Sequence, residues 1–226
     1  MSSIRAVLLD LDGTLVDSND AHAEAWVEVL GEFGHRIPFA RVRPLIGMGS
    51  DRLLPEVSGI DAESAEGKRI TERRTELFLH SYVERLKPFQ GSAELAERLN
   101  RDGFRLVVAT SANEKEMKQL VRIAGIEPYI HRATNASEAE NSKPDPDIVQ
   151  AALRKAEAAP NEAVMLGDTP YDVQAARAAG VAVIALRSGG WDDDALRGAA
   201  VIYADPRELL EHYERATVSV LQRRNG

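Results

Sequence analysis

The amino-acid sequence predicts an α/β fold: a doubly wound parallel sheet with a helical insert. Short apolar runs alternate with amphipathic helical patterns in the second half of the 226-residue chain, as in proteins built from βαβ crossovers. Another apolar run lies near the N-terminus, and the interval after it, residues 18–87, contains helical patterns but no strand-like run. Together these observations predict one sheet domain interrupted by a helical one.

Five apolar runs are predicted to form strands. The first, residues 6–9, is wholly apolar and is followed by Asp10, as expected of a parallel strand buried on both faces. The other strands are predicted at residues 106–109, 163–166, 181–184 and 200–202. Helices are predicted at residues 93–100, 114–124, 145–156, 171–179 and 206–213. Glycines that commonly end a helix follow three of these patterns, at Gly103, Gly125 and Gly180.

Residues 18–87 are predicted to form a second, helical domain, and residues 1–17 and 88–226 the sheet domain. The interval contains helical patterns at residues 22–32 and 65–85, and hinges are expected near residues 16–18 and 87–91. The C-terminal segment carries apolar residues that suit a frayed helix or an association element, namely Val218, Val220 and Leu221. The chain is accordingly expected to be a monomer or a weak homodimer.

Composition excludes several classes of protein. Hydrophobic residues make up 44% of the chain and charged residues 28%, as in ordinary folded proteins. A net charge of −8 argues against an extended nucleic-acid surface, and no apolar run approaches the roughly 20 residues of a membrane-spanning helix. The absence of cysteine excludes disulfides and thiolate chemistry, and favours a reducing cytoplasm. A small anionic substrate remains possible, because a bound cation can override the net charge.

Two carboxylates follow the first predicted strand. Strand alternation points Asp10 and Asp12 roughly the same way, and Gly13 permits close approach of the backbone. Two anions this close repel each other unless a divalent cation or a shared proton offsets their charge. The end of this strand is therefore a candidate site for metal binding or acid–base chemistry.

Candidate phosphate-binding groups follow later in the chain. Thr110 offers a hydroxyl, and Ser111 and Ala112 offer backbone N–H groups, just before a predicted helix whose N-terminus suits a phosphate. These residue types are also common helix caps. Lys143 precedes a proline that fixes the local path, so it could present its ammonium to a phosphate. Alternatively, it is a solvated lysine before a helix.

Asp168 and Asp172 follow the strand predicted at residues 163–166. Their spacing lets Asp172 point back toward Asp168 from the first turn of a helix. Together with Asp10 they could complete an all-oxygen Mg²⁺ site. The pair could instead serve the helix alone, one carboxylate as its cap and the other favourable to its dipole.

Taken together, these motifs resemble those of the haloacid dehalogenase superfamily of phosphohydrolases. The superfamily's four motifs match, in chain order, Asp10–Ser18, Thr110, Lys143, and Gly167-Asp168 with Asp172. The resemblance covers essentially the whole chain and implies a Rossmann-like core. It includes the helical insert, which has the position of the cap domain in phosphoglycolate phosphatases and β-phosphoglucomutases.

The resemblance implies a mechanism and a cofactor. Asp10 would attack phosphorus and form an aspartyl phosphate, while Asp12 would serve as general acid for the leaving oxygen and then as general base for water. Mg²⁺ would be held by Asp10, the backbone carbonyl of Asp12 and Asp168, with Asp172 as a ligand or a support.

The phosphate oxygens would be held by groups from the second and third motifs. By the resemblance, Thr110 and Lys143 would act together with backbone amides near Ser111 and Ala112. Dehalogenases of the superfamily need no proton-delivering acid two residues after the nucleophile, so Asp12 favours phosphate over halide.

The insert is expected to supply substrate specificity. Gly47 and Arg52 lie in or beside a predicted loop that could reach the substrate, or that could be a plain helix connection with Arg52 solvated. His22 and Trp26 resemble the first cap helix of sugar-phosphate members, so His22 could touch the substrate or Asp12. Both could instead be ordinary residues of an amphipathic helix.

The sequence thus predicts a Mg²⁺-dependent phosphatase of a small phosphorylated metabolite, such as phosphoglycolate or a sugar phosphate, with neither nucleic acid nor membrane as partner. A phosphomutase similar to β-phosphoglucomutase stays open, although Arg52 stands one residue later than the arginine of that subgroup. A phospho-receiver or binding module is a third possibility, against which Asp12 and the cap argue.

Overall fold

Six parallel strands form the central sheet of the structure, a computed structural model that describes residues 4–215. The strands of the described chain are β1 (Ala6–Leu9), β2 (Val16–Asp17), β3 (Lys87–Pro88), β4 (Arg105–Ala109), β5 (Ile130–Thr134), β6 (Ala163–Gly167), β7 (Ala182–Leu186) and β8 (Val201–Tyr203). The sheet order is β5-β4-β1-β6-β7-β8, whereas β2 and β3 pair separately as an antiparallel ribbon. The chain therefore winds outward from β1 in both directions, and the predicted α/β fold class is confirmed.

The order of the strands determines where a site can form. β1 is hydrogen-bonded to β4 on one side and to β6 on the other, all in the same direction. Their carboxyl ends consequently meet at one edge of the sheet, beside the point where the winding direction reverses. Ligands of open α/β sheets bind at such a point.

The insert between β2 and β3 is helical. Its helices are α1 (Asn19–Glu32), α2 (Phe39–Val42), α3 (Ser50–Ser58) and α4 (Ala65–Leu77), and α4 is extended by a π-helical turn (Phe78–Tyr82) and a 3₁₀ turn (Val83–Arg85). Buried residues such as Trp26, Leu54, Ile70 and Phe78 form an apolar cluster within the insert. The ribbon of β2 and β3 places the two connections between the insert and the sheet side by side, with Val16 opposite Pro88. The division of domains at residues 17/18 and 87/88 remains a prediction.

Helices cover both faces of the sheet. They are α5 (Ser92–Arg101), α6 (Glu114–Ile123), α7 (Asp147–Ala156), α8 (Pro170–Ala178) and α9 (Pro206–Glu211). In β1, Val7 and Leu9 belong to the apolar cluster shared with α5, α6 and α9, while Ala6 and Leu8 belong to the one shared with α7 and α8. This two-sided burial explains why the first strand is apolar throughout. Each fully buried leucine contributes about 1.5–3 kcal/mol.

One strand of the central sheet, the two short strands of the ribbon and two helices of the insert carry no pattern that predicts them. β5 escaped because it is an edge strand in which His131 and Arg132 are exposed, so it has no continuous apolar run. α2 has four residues, and α3 begins at Ser50, which places Arg52 in its first turn rather than in a loop. The segment around Val218 lies outside the described residues. No helix among residues 4–215 combines the length and apolar character needed to cross a bilayer.

Candidate active site

Side chains from three neighbouring strand ends meet at the carboxyl edge of the sheet. Asp10 directly follows β1, Thr110 follows β4, and Asp168 follows β6. Carboxylate oxygens of Asp10, Asp168 and Asp172 lie within 4.8 Å of one another, and all three residues are buried. The sheet topology thus gathers acids that are more than 150 residues apart in the sequence.

Lys143 is the cation that faces these acids. Its Nζ lies 2.5 Å from Oδ1 of Asp10 and 2.8 Å from Oδ1 of Asp172. The side chain of Lys143 is only 1% exposed, so it is not a solvated surface lysine. A buried ammonium is stable only when its charge is paired, which the two carboxylates ensure.

The charges of this cluster do not balance, because three carboxylates share one ammonium. Burial raises the pKa of Asp10 to about 7, an effect that Lys143 opposes and Asp172 reinforces. Burial, then the charges of Asp172 and Asp10, raise the pKa of Asp168 well above its usual value. Burial acts to lower the pKa of Lys143, but the two carboxylates outweigh it and hold that pKa above its usual range. Negative charge therefore remains for a cation or a proton to neutralise.

Hydrogen bonds hold Asp168 and Asp172 in place. Asp168 accepts from Oγ1 of Thr14 at 2.7 Å and from Nδ2 of Asn19 at 3.0 Å. Asp172 caps α8, since its Oδ2 accepts from the backbone N–H of Thr169 at 3.0 Å and from the Thr169 hydroxyl at 2.7 Å. Because its other oxygen faces Lys143, Asp172 both caps the helix and contributes charge to the cluster.

Asp12 has different surroundings from Asp10. Its Oδ1 accepts from the Ser18 hydroxyl at 2.5 Å and lies 2.7 Å from Nε2 of His22. On the far side of the imidazole, an amino group of Arg74 contacts Nδ1 of His22. Arginine can only donate, so Nδ1 accepts and Nε2–H donates to Asp12. Burial acts to raise the pKa of Asp12, but His22, Ser18 and Arg74 outweigh it and hold that pKa below its usual value.

Arg74 links the insert to the sheet domain. The residue lies on α4 and is 8% exposed, and its second amino group donates to Oε1 of Glu116 on α6 at 2.7 Å. Its guanidinium also lies over the rings of Trp26 and Phe78, at 5.4 and 5.1 Å from their centroids, a favourable cation–π arrangement. One buried arginine thus connects the apolar cluster of the insert and His22 with helix α6 of the sheet domain.

A cavity of about 100 Å³ lies between the insert and these strand ends. Six of the predicted site residues line it: Asp10, Asp12, His22, Thr110, Ser111 and Ala112. The Ser111 hydroxyl is buried without a hydrogen-bond partner, whereas the N–H of Ala112 donates to Oγ1 of Thr110 at 3.1 Å. The insert contributes Trp26, Met48, Ser50, Thr71, Arg74 and Thr75, among others.

The predicted cap residues Gly47 and Arg52 do not line this cavity. A Cβ on Gly47 would lie 2.8 Å from Cγ2 of Thr169, and Arg52 pairs with Asp145 in the sheet domain. That exposed ion pair contributes little to stability. At this connection the cavity wall is formed by the neighbouring residues 46 and 48–50. A role for Gly47 and Arg52 in substrate binding remains a prediction.

Several residues that shape the site were not singled out in the sequence. Asn19 orients Asp168, Glu116 forms part of the cavity wall, and Gly189 lies so close to Asp168 that any Cβ there would overlap the carboxylate. No local pattern marks these residues. Each matters through a partner distant in the sequence, so only the folded chain reveals it.

Comparison with known proteins agrees with the α/β fold of the chain. A family model described as haloacid dehalogenase-like hydrolase matches residues 4–180. A phosphoglycolate phosphatase from Nitrosospira multiformis is 30% identical over 82% of this chain and 84% of its own length. The Arabidopsis thaliana protein SUPPRESSOR OF QUENCHING 1, chloroplastic is 32% identical over 82% of this chain, which spans 18% of that protein. A crystal structure of a hydrolase from Pseudomonas syringae superposes with a TM-score of 0.87 at 28% identity, covering 93% of this chain and 98% of that one.

The raised pKa of Asp10 predicts how stability depends on pH when metal is chelated. Because the folded protein holds this proton up to about pH 7 and the unfolded chain releases it near pH 4, stability falls as pH rises across that interval. Asp10→Asn removes this loss. In EDTA, we expect the melting temperature of Asp10→Asn relative to wild type to rise between pH 5 and about pH 7 and to level off above that. Each kcal/mol corresponds to about 2–4 °C in a chain of this size, and a difference independent of pH would contradict the assignment.

The close approach of Gly189 to Asp168 predicts that a single methyl group disturbs the acidic cluster. Gly189→Ala is expected to lower the free energy of unfolding by about 1–3 kcal/mol through overpacking, and to reduce the rise in melting temperature caused by MgCl₂. Gly31→Ala is the matched control, since a Cβ there meets no atom within 4 Å. Equal responses of the two variants in urea unfolding and in the metal-dependent thermal shift would refute the expectation.

Proposed function

The chain belongs to the haloacid dehalogenase-like hydrolase family and is a phosphoric monoester hydrolase, and from that premise we propose a more specific activity. The protein is a Mg²⁺-dependent phosphatase of a small phosphorylated metabolite, of the phosphoglycolate or sugar-phosphate type. The reaction proceeds through an aspartyl phosphate on Asp10. The observation that carries this proposal is the buried Asp10 at the cavity wall, paired with Lys143 and backed by Asp168 and Asp172.

The acidic cluster fits a divalent metal ion. Three buried carboxylates against one ammonium leave uncompensated charge, and their oxygens lie close enough to share one ion. Mg²⁺ prefers such oxygen ligands. Asp10, the backbone carbonyl of Asp12 and Asp168 would hold the ion, with Asp172 as a ligand or a support. When bound, Mg²⁺ offsets the repulsion between nucleophile and phosphate and stabilises charge in the transition state.

Asp10 acts as the nucleophile in the first displacement. A carboxylate oxygen of Asp10 bonds to phosphorus while the bond from phosphorus to the leaving oxygen breaks. Lys143 holds Asp10 in position through its 2.5 Å contact. The Lys143 ammonium and the hydroxyls of Thr110 and Ser111 would bind the equatorial oxygens, together with nearby backbone amides.

Asp12 transfers the protons. Both of its hydrogen bonds fall on Oδ1, which leaves Oδ2 to carry a proton to the leaving oxygen and later to accept one from water. Asp12 is ionised in the free site, because its pKa is held below the usual value. A bound phosphate adds negative charge beside it and raises its proton affinity. Asp12 therefore takes up the proton for the leaving group when the substrate binds.

The central test is the loss of the nucleophile. Asp10→Asn keeps the size of the side chain but removes its nucleophilic oxygen, so Mg²⁺-dependent phosphate release is expected to fall by at least about a thousandfold. Phosphate release is measured across glycolate, sugar and polyol phosphates with and without Mg²⁺. Asp102→Asn, an exposed carboxylate at the end of α5, is the matched control and should retain activity.

Other outcomes would identify the alternative activities. Steady turnover by Asp10→Asn would overturn the proposed mechanism. An isomerised sugar phosphate with little free phosphate would indicate a phosphomutase that uses the same nucleophile. A stable phosphorylated protein without turnover of any substrate would indicate a phospho-receiver.

A further inference from the structure

We infer that the leaving group of this enzyme is a small, neutral, hydroxylated alcohol rather than one that carries a carboxylate, and that Glu116 enforces this selection. The inference rests on the proposed phosphatase activity and makes its substrate class more specific. It is based on the charges and hydrogen-bonding groups of the cavity wall beyond the reacting phosphate.

The only arginine or lysine among the described residues that line the cavity is already engaged. Arg74 donates one amino group to Glu116 at 2.7 Å and the other to His22. Only its Nε lacks a hydrogen-bond partner. Arginine binds a carboxylate best through two parallel N–H bonds, but both amino groups of Arg74 are already engaged and its charge is compensated by Glu116. A substrate carboxylate would therefore have to compete with Glu116 for this positive charge.

Glu116 adds a negative charge at this position. The residue lies in the first turn of α6, is 1% exposed and lines the cavity. A carboxylate on the leaving group would face this buried anion in surroundings where water screens little. A neutral leaving group faces no such repulsion. The pairing with Arg74 thus cancels the one local positive charge that could attract an acid.

The remaining wall is suited to hydroxyl groups. Three residues of the insert that carry hydroxyls, Ser50, Thr71 and Thr75, line the cavity, and Asn113 orients Thr75 by donating to its Oγ1 at 3.0 Å. Hydroxyls can both donate to and accept from an alcohol. The volume of about 100 Å³ is well below the roughly 300–1,000 Å³ of sites for drug-sized ligands. A leaving group of a few carbons is therefore expected.

A neighbouring depression is also acidic. It has a volume of about 170 Å³ and shares Ser50 and Thr71 with the cavity. Three carboxylates line it against one lysine, Lys68, and that lysine is paired with Glu63 at 3.0 Å. The charges around the cavity therefore disfavour a carboxylate on the leaving group, as the charges of the cavity wall do.

The test uses substrates that differ only in one oxidised carbon. Glycerol 3-phosphate is compared with 3-phosphoglycerate, and 2-hydroxyethyl phosphate with 2-phosphoglycolate, by measuring kcat/KM in the presence of Mg²⁺. In the wild type we expect kcat/KM to be at least about tenfold higher for the neutral member of each pair. A higher value for the acids would overturn the inference whatever the variants do.

Glu116→Gln removes the negative charge and keeps the shape of the side chain. Because Arg74 is then uncompensated, the ratio of kcat/KM for acid over alcohol should rise at least about tenfold. Glu114→Gln is the matched control on the same helix, since Glu114 is exposed and pairs with Lys118, and it should leave the ratio unchanged. Each ratio is taken within one variant, so a smaller folded fraction does not alter it.

The outcomes separate this inference from the proposed function. An unchanged ratio in Glu116→Gln, or the same rise in Glu114→Gln, would refute the role of Glu116 while phosphate release continues. If Glu116→Gln does not fold, the wild-type ratios alone decide on the substrate class. Absence of phosphate release from both pairs and from all other monoesters, with Mg²⁺ present, would count against the proposed phosphatase itself.

Discussion

The structure of the site depends on one electrostatic constraint: three buried carboxylates share a single buried ammonium. Asp10 and Asp168 follow the carboxyl ends of adjacent strands, Asp172 lies in the first turn of α8, and Lys143 contacts Asp10 and Asp172. Burial makes this arrangement unfavourable unless further positive charge enters. The same imbalance that costs stability in the free protein creates affinity for a cation. It also surrounds Asp10, the proposed nucleophile, with groups that could neutralise a phosphate.

The neighbouring acid, Asp12, shows how different surroundings give two nearby carboxylates opposite electrostatic behaviour. Asp10 and Asp12 are two residues apart on one strand end, yet their pKa values move in opposite directions. Asp10 is surrounded by other acids, whereas Asp12 accepts hydrogen bonds from Ser18 and His22. Because Arg74 on α4 fixes the tautomer of His22, the insert influences the surroundings of Asp12 as well as covering the site.

Some features were predictable because they depend on local patterns. The two-sided burial of β1 imposes a continuous apolar run, and the acids at its end follow directly in the sequence. The edge strand β5 has no such signature, since exposed His131 and Arg132 interrupt its apolar residues. α3 was mistaken in part for a loop because Gly47 and Gly49 precede it closely. Local patterns therefore did not predict elements that are short or that bury only one face.

The sequence by itself determined the fold class, the order of strands and helices after the insert apart from the edge strand β5, and the acids, hydroxyl and lysine grouped as motifs. These properties depend on the alternation of apolar segments and on residues adjacent to strand ends. Tertiary structure alone decided the pairing of Arg74 with Glu116, the two hydrogen bonds of His22, and the contact of Gly189 with Asp168. Each of these interactions joins residues from distant segments, and its strength depends on burial and distance. Neither quantity exists until the chain has folded.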